Sequence, residues 1–589
     1  MDPHAPHTTP APQVGVVVIG HDDAPHVTSA VRSALAQGPV VGEVVAVDDR
    51  STDGSAELLT RLAATEPRVR VVRRRVHSGG RGSPRNTGLD RVTSPYVMFL
   101  DSDGVLPPGA VDALLRAARD AGAEVAGGLG VRRELPEGHA GRRGRAEREV
   151  LEGHAGREVS EGREVSEGRE VPWEAGLYAA RAVYERPAQR PRLVHDTLCA
   201  NKLYRTAFLR ENGIRFPEGR IAHENLVFSA RVLAAGPRVA LVPNRVHVRH
   251  VHRSADGPPT SLERTGIADW RARTEASRAA YEILLSAGCK ELAREARARF
   301  LDHELRMYAR ELEVHDAHHR RTWWTLTRAY LAEYDASDWE YRPTAPGCLV
   351  GRVVLASPEP RDLPRIRDLA SRPARLLPPY AHSPDGTPVW SADLPRITLE
   401  PLLTRPVRFL PLAVDAELRP RARGALLRLR LHELYGRVAQ AGPEALEVEW
   451  RCRATGRTAG PRTTVGLAAE ADRGEGGGGL WSAEVPVRWA AFAVGRRPAG
   501  AASAWDLWLR VRFRGGAYRE VTARLRTDAV PSRRCAVVRA RHAVVLVRPC
   551  TAHSGTLALR VAPVLGGVMS VVRGGLRRLL HCHSRPQAH

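Results

Sequence analysis

The sequence predicts an α/β protein that runs into a helical segment and ends in an all-β region. Three observations carry this expectation. Short β-branched runs alternate with helical stretches from Val14 to Val131, a helix-period pattern fills most of residues 256–345, and strand-like alternation recurs through residues 396–589.

In chain order, residues 1–13 read "MDPHAPHTTPAPQ". They contain no basic segment followed by an apolar core and are expected as a disordered tail. The runs "VGVVVI", "EVVAVDD", "VRVVRR", "YVMFLDSD" and "AEVAGGLGV" follow, separated by segments such as "SAVRSALAQ" and "SAELLTRLAA". Strands this short and apolar, each followed by a helix, imply a parallel sheet covered on both faces, and such sheets bind ligands at the carboxyl ends of their strands. Residues 132–173 repeat "GREVSE" with almost no apolar content, as expected for a disordered insertion or exposed loop. "NKLYRTAFLRENGIRFPEG", "ENLVFSARVLAA" and "RVALVP" then complete a domain of residues 14–255. Residues 256–345 form the expected helical linker and 346–395 a connecting segment. Runs such as "LLRLRLHELYG", "ALEVEWRCRA" and "DLWLRVRF" in residues 396–589 predict β-sandwich structure suited to oligomerisation or polymer binding.

Composition narrows the function classes. At 589 residues the chain exceeds a single hydrophobic core. Lys and Arg number 89 against 66 Asp and Glu, a net charge of +23 that suits a polyanionic partner. Lys202 and Lys290 are the only lysines, so an arginine-favouring coding bias contributes to this balance. Aromatic residues are 5% and do not interleave with basic ones, which argues against nucleic acid. Seven scattered cysteines without a CxxC pair indicate neither a disulfide framework nor a zinc ribbon, and the expected compartment is the reducing cytoplasm. No run approaches the ~18 apolar residues of a membrane span. The C-terminal "VAPVLGGVMSVVRGGLRRLLHCH", with Arg573, Arg577 and Arg578, reads either as an amphipathic segment making peripheral contact with the inner face of the cell membrane or as a buried final strand and helix. His581, Cys582 and His583 lack a further ligand at a metal-site spacing.

Four motifs carry chemistry. In "FLDSDG", Asp101 and Asp103 sit at a strand end, where paired carboxylates suit a hard divalent cation that neutralises a diphosphate, or else cap a turn. In "VDDRSTDGS", Asp48 and Asp49 end the second strand and can accept a hydrogen bond from a base or ribose. In "HSGGRGSPRNTGLD", glycines admit close backbone approach while Arg81 and Arg85 offer donors to phosphate oxygens. In "AHENLVF", His223, Glu224 and Asn225 stand at a helix entrance suited to proton transfer, although an amide takes no proton at neutral pH.

In this order and spacing, "VDDRSTDG", "GGRGSPRNTG" and "LDSDG" resemble the inverting family-2 glycosyltransferases, whose GT-A fold is a Rossmann-like nucleotide-sugar-binding domain; the resemblance covers roughly the first 255 residues. "SGGRGSPRN" is most similar to enzymes that add N-acetylglucosamine to poly(ribitol phosphate) wall teichoic acid. Those enzymes also have a helical linker and a C-terminal Ig-like sandwich region that makes a trimer, and "AWDLWLRVRF" resembles a strand of that region. The resemblance implies transfer of a sugar, N-acetylglucosamine, from a UDP-sugar to a hydroxyl of an anionic cell-wall polymer, by a homotrimer at the cytoplasmic face of the membrane.

Asp49, with Asp48 beside it, would contact the uracil, and His21 stands where the family has a stacking tyrosine. Arg81 and Arg85 would lie near the nucleotide-sugar, Asp101 and Asp103 would hold the ribose and a Mn²⁺ or Mg²⁺, and Arg253 would contact phosphate. Two further positions depart from the pattern. Gly104 replaces an acid after the metal-site pair, and the family's catalytic Glu-Asp pair aligns with Glu224 and Asn225. Three outcomes stay open: Glu224 as the expected base, His223 in its place, or a catalytically inactive paralogue that binds nucleotide-sugar or wall polymer as a scaffold.

Overall fold

Strands β1 (Val14–Gly20), β2 (Val41–Asp48), β3 (Val69–Arg73) and β4 (Tyr96–Asp101) lie parallel in the order β3-β2-β1-β4 in the computed structural model. The structure describes residues 13–135, 169–252, 266–421, 424–453, 456–470, 479–492, 503–525, 536–540, 543–551 and 555–563. Strand alternation sends Val17, Ile19, Val45, Val47, Val97 and Phe99 to one face of the sheet and Val16, Val18, Val44, Ala46, Met98 and Leu100 to the other. Helices α1 (Val27–Leu35), α2 (Ser55–Thr65) and α4 (Ala110–Ala121) bury Val31, Leu59 and Leu114 on the second face. Helix α3 (Gly82–Arg91) buries Leu89 on the first. Full burial of each such side chain contributes about 1.5–3 kcal/mol, so both faces contribute to stability.

Beyond β4 the expected parallel sheet is interrupted by an antiparallel strand. There β9 (Lys202–Arg205), from "NKLYR", runs antiparallel to both β4 and β6 (Val125–Leu135), and the ten-stranded sheet continues through β10 (Val239–His252) to β5 (Gly104–Val105). Two short strands flank this path, β7 (Arg169–Pro172) on β6 and β8 (Ala182–Tyr184) on β10. Residues 132–173 therefore begin and end as strand: Arg132 pairs with Val171, and Arg133 is hydrogen-bonded to Glu170 at 3.0 Å. Residues 136–168, like residues 1–12 and the C-terminal "VLGGVMSVVRGGLRRLLHCH", lie outside the described residues.

The chain divides into two compact units, Met1–Phe300 and Leu301–His589. The division falls inside the segment expected as a linker. Helices Ile267–Ser286 and Lys290–Arg299 bury Ala280, Leu284, Leu292 and Ala293 in the first unit's core, beside Phe228 of helix Glu224–Ala234. The second unit holds helices such as Ala317–Leu331 and Pro346–Ala356, then one five-stranded and one seven-stranded sheet. "AWDLWLRVRF" is a strand there, with Trp505, Leu507, Leu509, Val511 and Phe513 buried in strict alternation. No helix among the described residues is long and apolar enough to cross a membrane, and the five described cysteines are free.

Candidate functional site

Register places the chemistry. Ile19 of β1 pairs with Asp101 of β4, and Gly20 pairs with Asp48 of β2, so three chain segments leave the sheet at one height. Two backbone bonds hold the exits together, Asp49 N–H to the Gly20 carbonyl and Ser102 N–H to the Ile19 carbonyl, both 3.0 Å. A cavity of about 350 Å³ opens above them, walled in part by His21, Asp49, His77, Arg81, Asp101 and Asp103. That size suits a small-molecule ligand. Five of the sequence-derived candidates therefore share one cavity.

Arg85 is the clamp beneath it. The guanidinium is fully buried, gives Nη2 to Asp101 Oδ1 at 2.6 Å, and gives Nη1 to Glu224 Oε1 at 2.8 Å and Asn225 Oδ1 at 2.9 Å. Burial opposes its charge, but Asp101 and Glu224 more than compensate and hold its pKa well above the ordinary value. Asp101 also receives Arg81 at 3.0 Å. Burial alone would raise the Asp101 pKa; Arg85 and then Arg81 reverse this and keep it well below the usual carboxylate range. Next in α3, Asn86 pins the loop that follows Ile214 by exchanging hydrogen bonds with both backbone groups of Phe216, each 2.9 Å.

At the other end of the cavity, the buried Asp49 carboxylate accepts from Arg74 Nε at 3.0 Å and from the Ser78 hydroxyl at 2.6 Å, with His77 Nδ1 3.0 Å away. His21 donates from Nδ1 to the Asp49 carbonyl at 3.1 Å and stacks on His77, ring centroids 3.8 Å apart. Asp48 is 1% exposed and faces the Ser51 backbone N–H rather than the cavity. His77 escaped the sequence reading, although it stands two positions before the first of the glycines that drew attention.

Asp103 meets residues of β10. Its Oδ2 accepts from Arg249 Nε at 2.9 Å, whereas Oδ1 is buried without a partner. His247 Nε2 is likewise buried without a partner, and burial pushes its pKa down to about 4, so the imidazole is neutral. A Cβ on Gly104 would stand 2.7 Å from that Nε2, so the missing acid at position 104 makes room for the His247 ring. Among the described residues no three His, Cys, Asp or Glu side chains are gathered as a ready metal site. The two orphaned atoms, a carboxylate oxygen and a neutral imidazole nitrogen, nonetheless have the chemistry of divalent-cation ligands, and any further ligands would have to come from substrate and water. The alternation in "VHVRHV" puts His247 and Arg249 on one strand face, a signal that could have singled them out. Arg253, the basic residue expected to touch phosphate, lies outside the described residues.

The helix entrance separates its three candidates. Glu224 and Asn225 both face Arg85, as given above. His223 does not join them on Arg85: its Nε2 lies 3.0 Å from Asp269 Oδ1 on helix Ile267–Ser286. Asp269, 46 residues along the chain, carried no local signal.

Residues 16–211 match the family described as Glycosyl transferase family 2. The succinoglycan biosynthesis protein ExoO of Rhizobium meliloti is 36% identical over 115 residues, 20% of this chain and 32% of that protein. The poly(ribitol-phosphate) β-N-acetylglucosaminyltransferase TarS of Staphylococcus aureus is 25% identical over 247 residues, 41% of this chain and 36% of that protein. The chain thus spans about a third of the length of these curated relatives. The crystal structure of S. aureus TarS aligns with a TM-score of 0.45 at 15% identity, covering 94% of this chain and 85% of the other.

Proposed function

We propose that the glycosyltransferase family 2 domain carried on residues 16–211 transfers a sugar, N-acetylglucosamine, from a UDP-sugar to a hydroxyl of an anionic cell-wall polymer such as teichoic acid, with inversion at the anomeric carbon. The observation that carries this reading is the convergence of Asp49, Arg81, Asp101 and Asp103 on one cavity at the carboxyl ends of the strands. Sugar and acceptor are supported by the likeness to a poly(ribitol-phosphate) N-acetylglucosaminyltransferase, and the net charge of +23 favours a phosphate-rich acceptor.

In this reading the uracil ring lies at the His21, His77 and Asp49 end, and Arg81 exchanges Asp101 for diphosphate oxygens. Asp103 Oδ1 and His247 Nε2 would hold Mn²⁺ or Mg²⁺. When bound, the cation would neutralise charge that builds up on the departing diphosphate. Arg249 holds the other Asp103 oxygen and so leaves Oδ1 as the one that would face a cation.

The test is UDP release from UDP-N-acetylglucosamine by the purified chain with Mn²⁺, alone and with poly(ribitol phosphate). Turnover is expected, with a loss of roughly 10²-fold or more in Asp103→Asn and in His247→Ala. Absence of both UDP binding and UDP release across a panel of sugar nucleotides would refute the proposal. Asn225 at the family's base position favours a second reading, a catalytically silent paralogue that binds polymer or nucleotide. An inactive wild type that gains turnover in Asn225→Asp would select it.

A further inference from the structure

Glycosyl transfer to a hydroxyl needs a proton acceptor beside the nucleophile, and the helix entrance at residues 223–225 offers three polar side chains with very different surroundings. Asn225 carries an amide, which takes no proton at neutral pH. Glu224 is 8% exposed and its carboxylate is held by the buried Arg85 guanidinium at 2.8 Å, so taking a proton would break an ion pair that also anchors Asp101.

His223 differs from both. It occupies the N-cap of helix Glu224–Ala234 at φ 63° and ψ 29°, a left-handed conformation that disfavours any side chain, yet it makes no capping hydrogen bond in return. The imidazole instead reaches Asp269. A carboxylate can only accept, so Nε2 carries the hydrogen and Nδ1 is left as the basic nitrogen. Nδ1 has no hydrogen-bond partner among the described residues, and the side chain keeps 20% of its surface exposed. Asp269 in turn has Arg273 one helical turn further on, 4.0 Å away. A strained backbone, a basic atom left open and a carboxylate behind the ring form the arrangement by which a histidine base is oriented.

We propose that His223, oriented by Asp269, is the general base of this domain, in place of the carboxylate that Asn225 lacks. The inference rests on the glycosyltransferase reading above. The acceptor hydroxyl gives its proton to His223 Nδ1 as its oxygen bonds to the anomeric carbon. The bond from that carbon to the diphosphate oxygen breaks, and the nucleoside diphosphate leaves with the electron pair. Asp269 balances the imidazolium. Asp269 is a positioning residue: it touches the base and not the substrate.

His223→Gly is the informative variant, because glycine adopts φ 63° without strain and the fold should be kept. With Mg²⁺, which imidazole binds weakly, and UDP-N-acetylglucosamine as donor, the variant is expected to match wild type in unfolding midpoint and in calorimetric UDP affinity. Its UDP release should fall by about 10²- to 10⁴-fold and recover in part with added imidazole. Asp269→Asn should lower kcat by roughly tenfold or more while leaving KM and UDP affinity in place. Wild-type turnover in His223→Gly, or a loss that imidazole does not relieve, would overturn the proposal. A wild type that neither binds UDP nor releases it would remove the glycosyltransferase reading and this inference with it, and the UDP-binding measurement tells the two failures apart.

Discussion

Arg85 shows how much of this site depends on one side chain. Its guanidinium joins a strand end, Asp101, to a helix entrance, Glu224 and Asn225, from a fully buried position. Removing one member of a buried pair costs about 3–5 kcal/mol because the other charge is left without a partner. Arg85→Ala is therefore expected to lose stability of that order in urea denaturation and to abolish UDP release. Arg85→Lys should keep the charge but lose the fork that reaches both elements, and so retain more stability than activity. From sequence, Arg85 was legible as a cation in a glycine-rich turn, a candidate for phosphate. Its place beneath the cavity was not, because two of its partners lie 139 and 140 residues away.

At the scale of elements, α3 owes its depth to a missing side chain. A Cβ at Gly88 would lie 2.2 Å from Val17 Cγ1 in β1, so only glycine lets the helix settle on the sheet. Gly88→Ala is expected to cost about 1–3 kcal/mol by overpacking, read as a lower unfolding midpoint, and to reduce UDP release because Arg81 and Arg85 move with the helix. The strands β1 to β4 were readable because apolar runs bounded by turn residues are a local signal. Strand β9 was not: four residues after a long insertion carry no periodicity of their own. Their direction was decided by the two open edges they bridge, where Leu203 pairs with both Met98 and Ala126.

The whole molecule places its acid-sensitive links in the second unit as well as at the site. Asp415, on strand Val414–Arg421, is bound by His432 at 2.9 Å and by Arg524 at 3.0 Å, which ties three neighbouring strands together. Burial alone would raise its pKa; those two hydrogen bonds reverse the effect and bring it from 3.8 down to about 2. A depressed folded-state pKa stabilises the protein fully above the unfolded value, and that contribution is lost as pH falls from about 4 through about 2. It amounts to about 2 kcal/mol. Asp415→Asn should accordingly lower the second unit's urea midpoint at pH 7, with the gap to wild type closing as pH approaches 2. By itself the sequence determined the strand and helix alternation of the first domain, the carboxylates Asp49, Asp101 and Asp103 at strand ends, and the β character of the C-terminal half. These follow from hydrophobic period and turn chemistry, which act over a few residues. Only the tertiary structure decided that Arg85 binds Glu224, that His247 fills the space left at Gly104, and that His223 leans on Asp269. Those pairings join residues 46 to 143 positions apart, so chain folding and packing had to bring them together before their charges and hydrogen bonds could act.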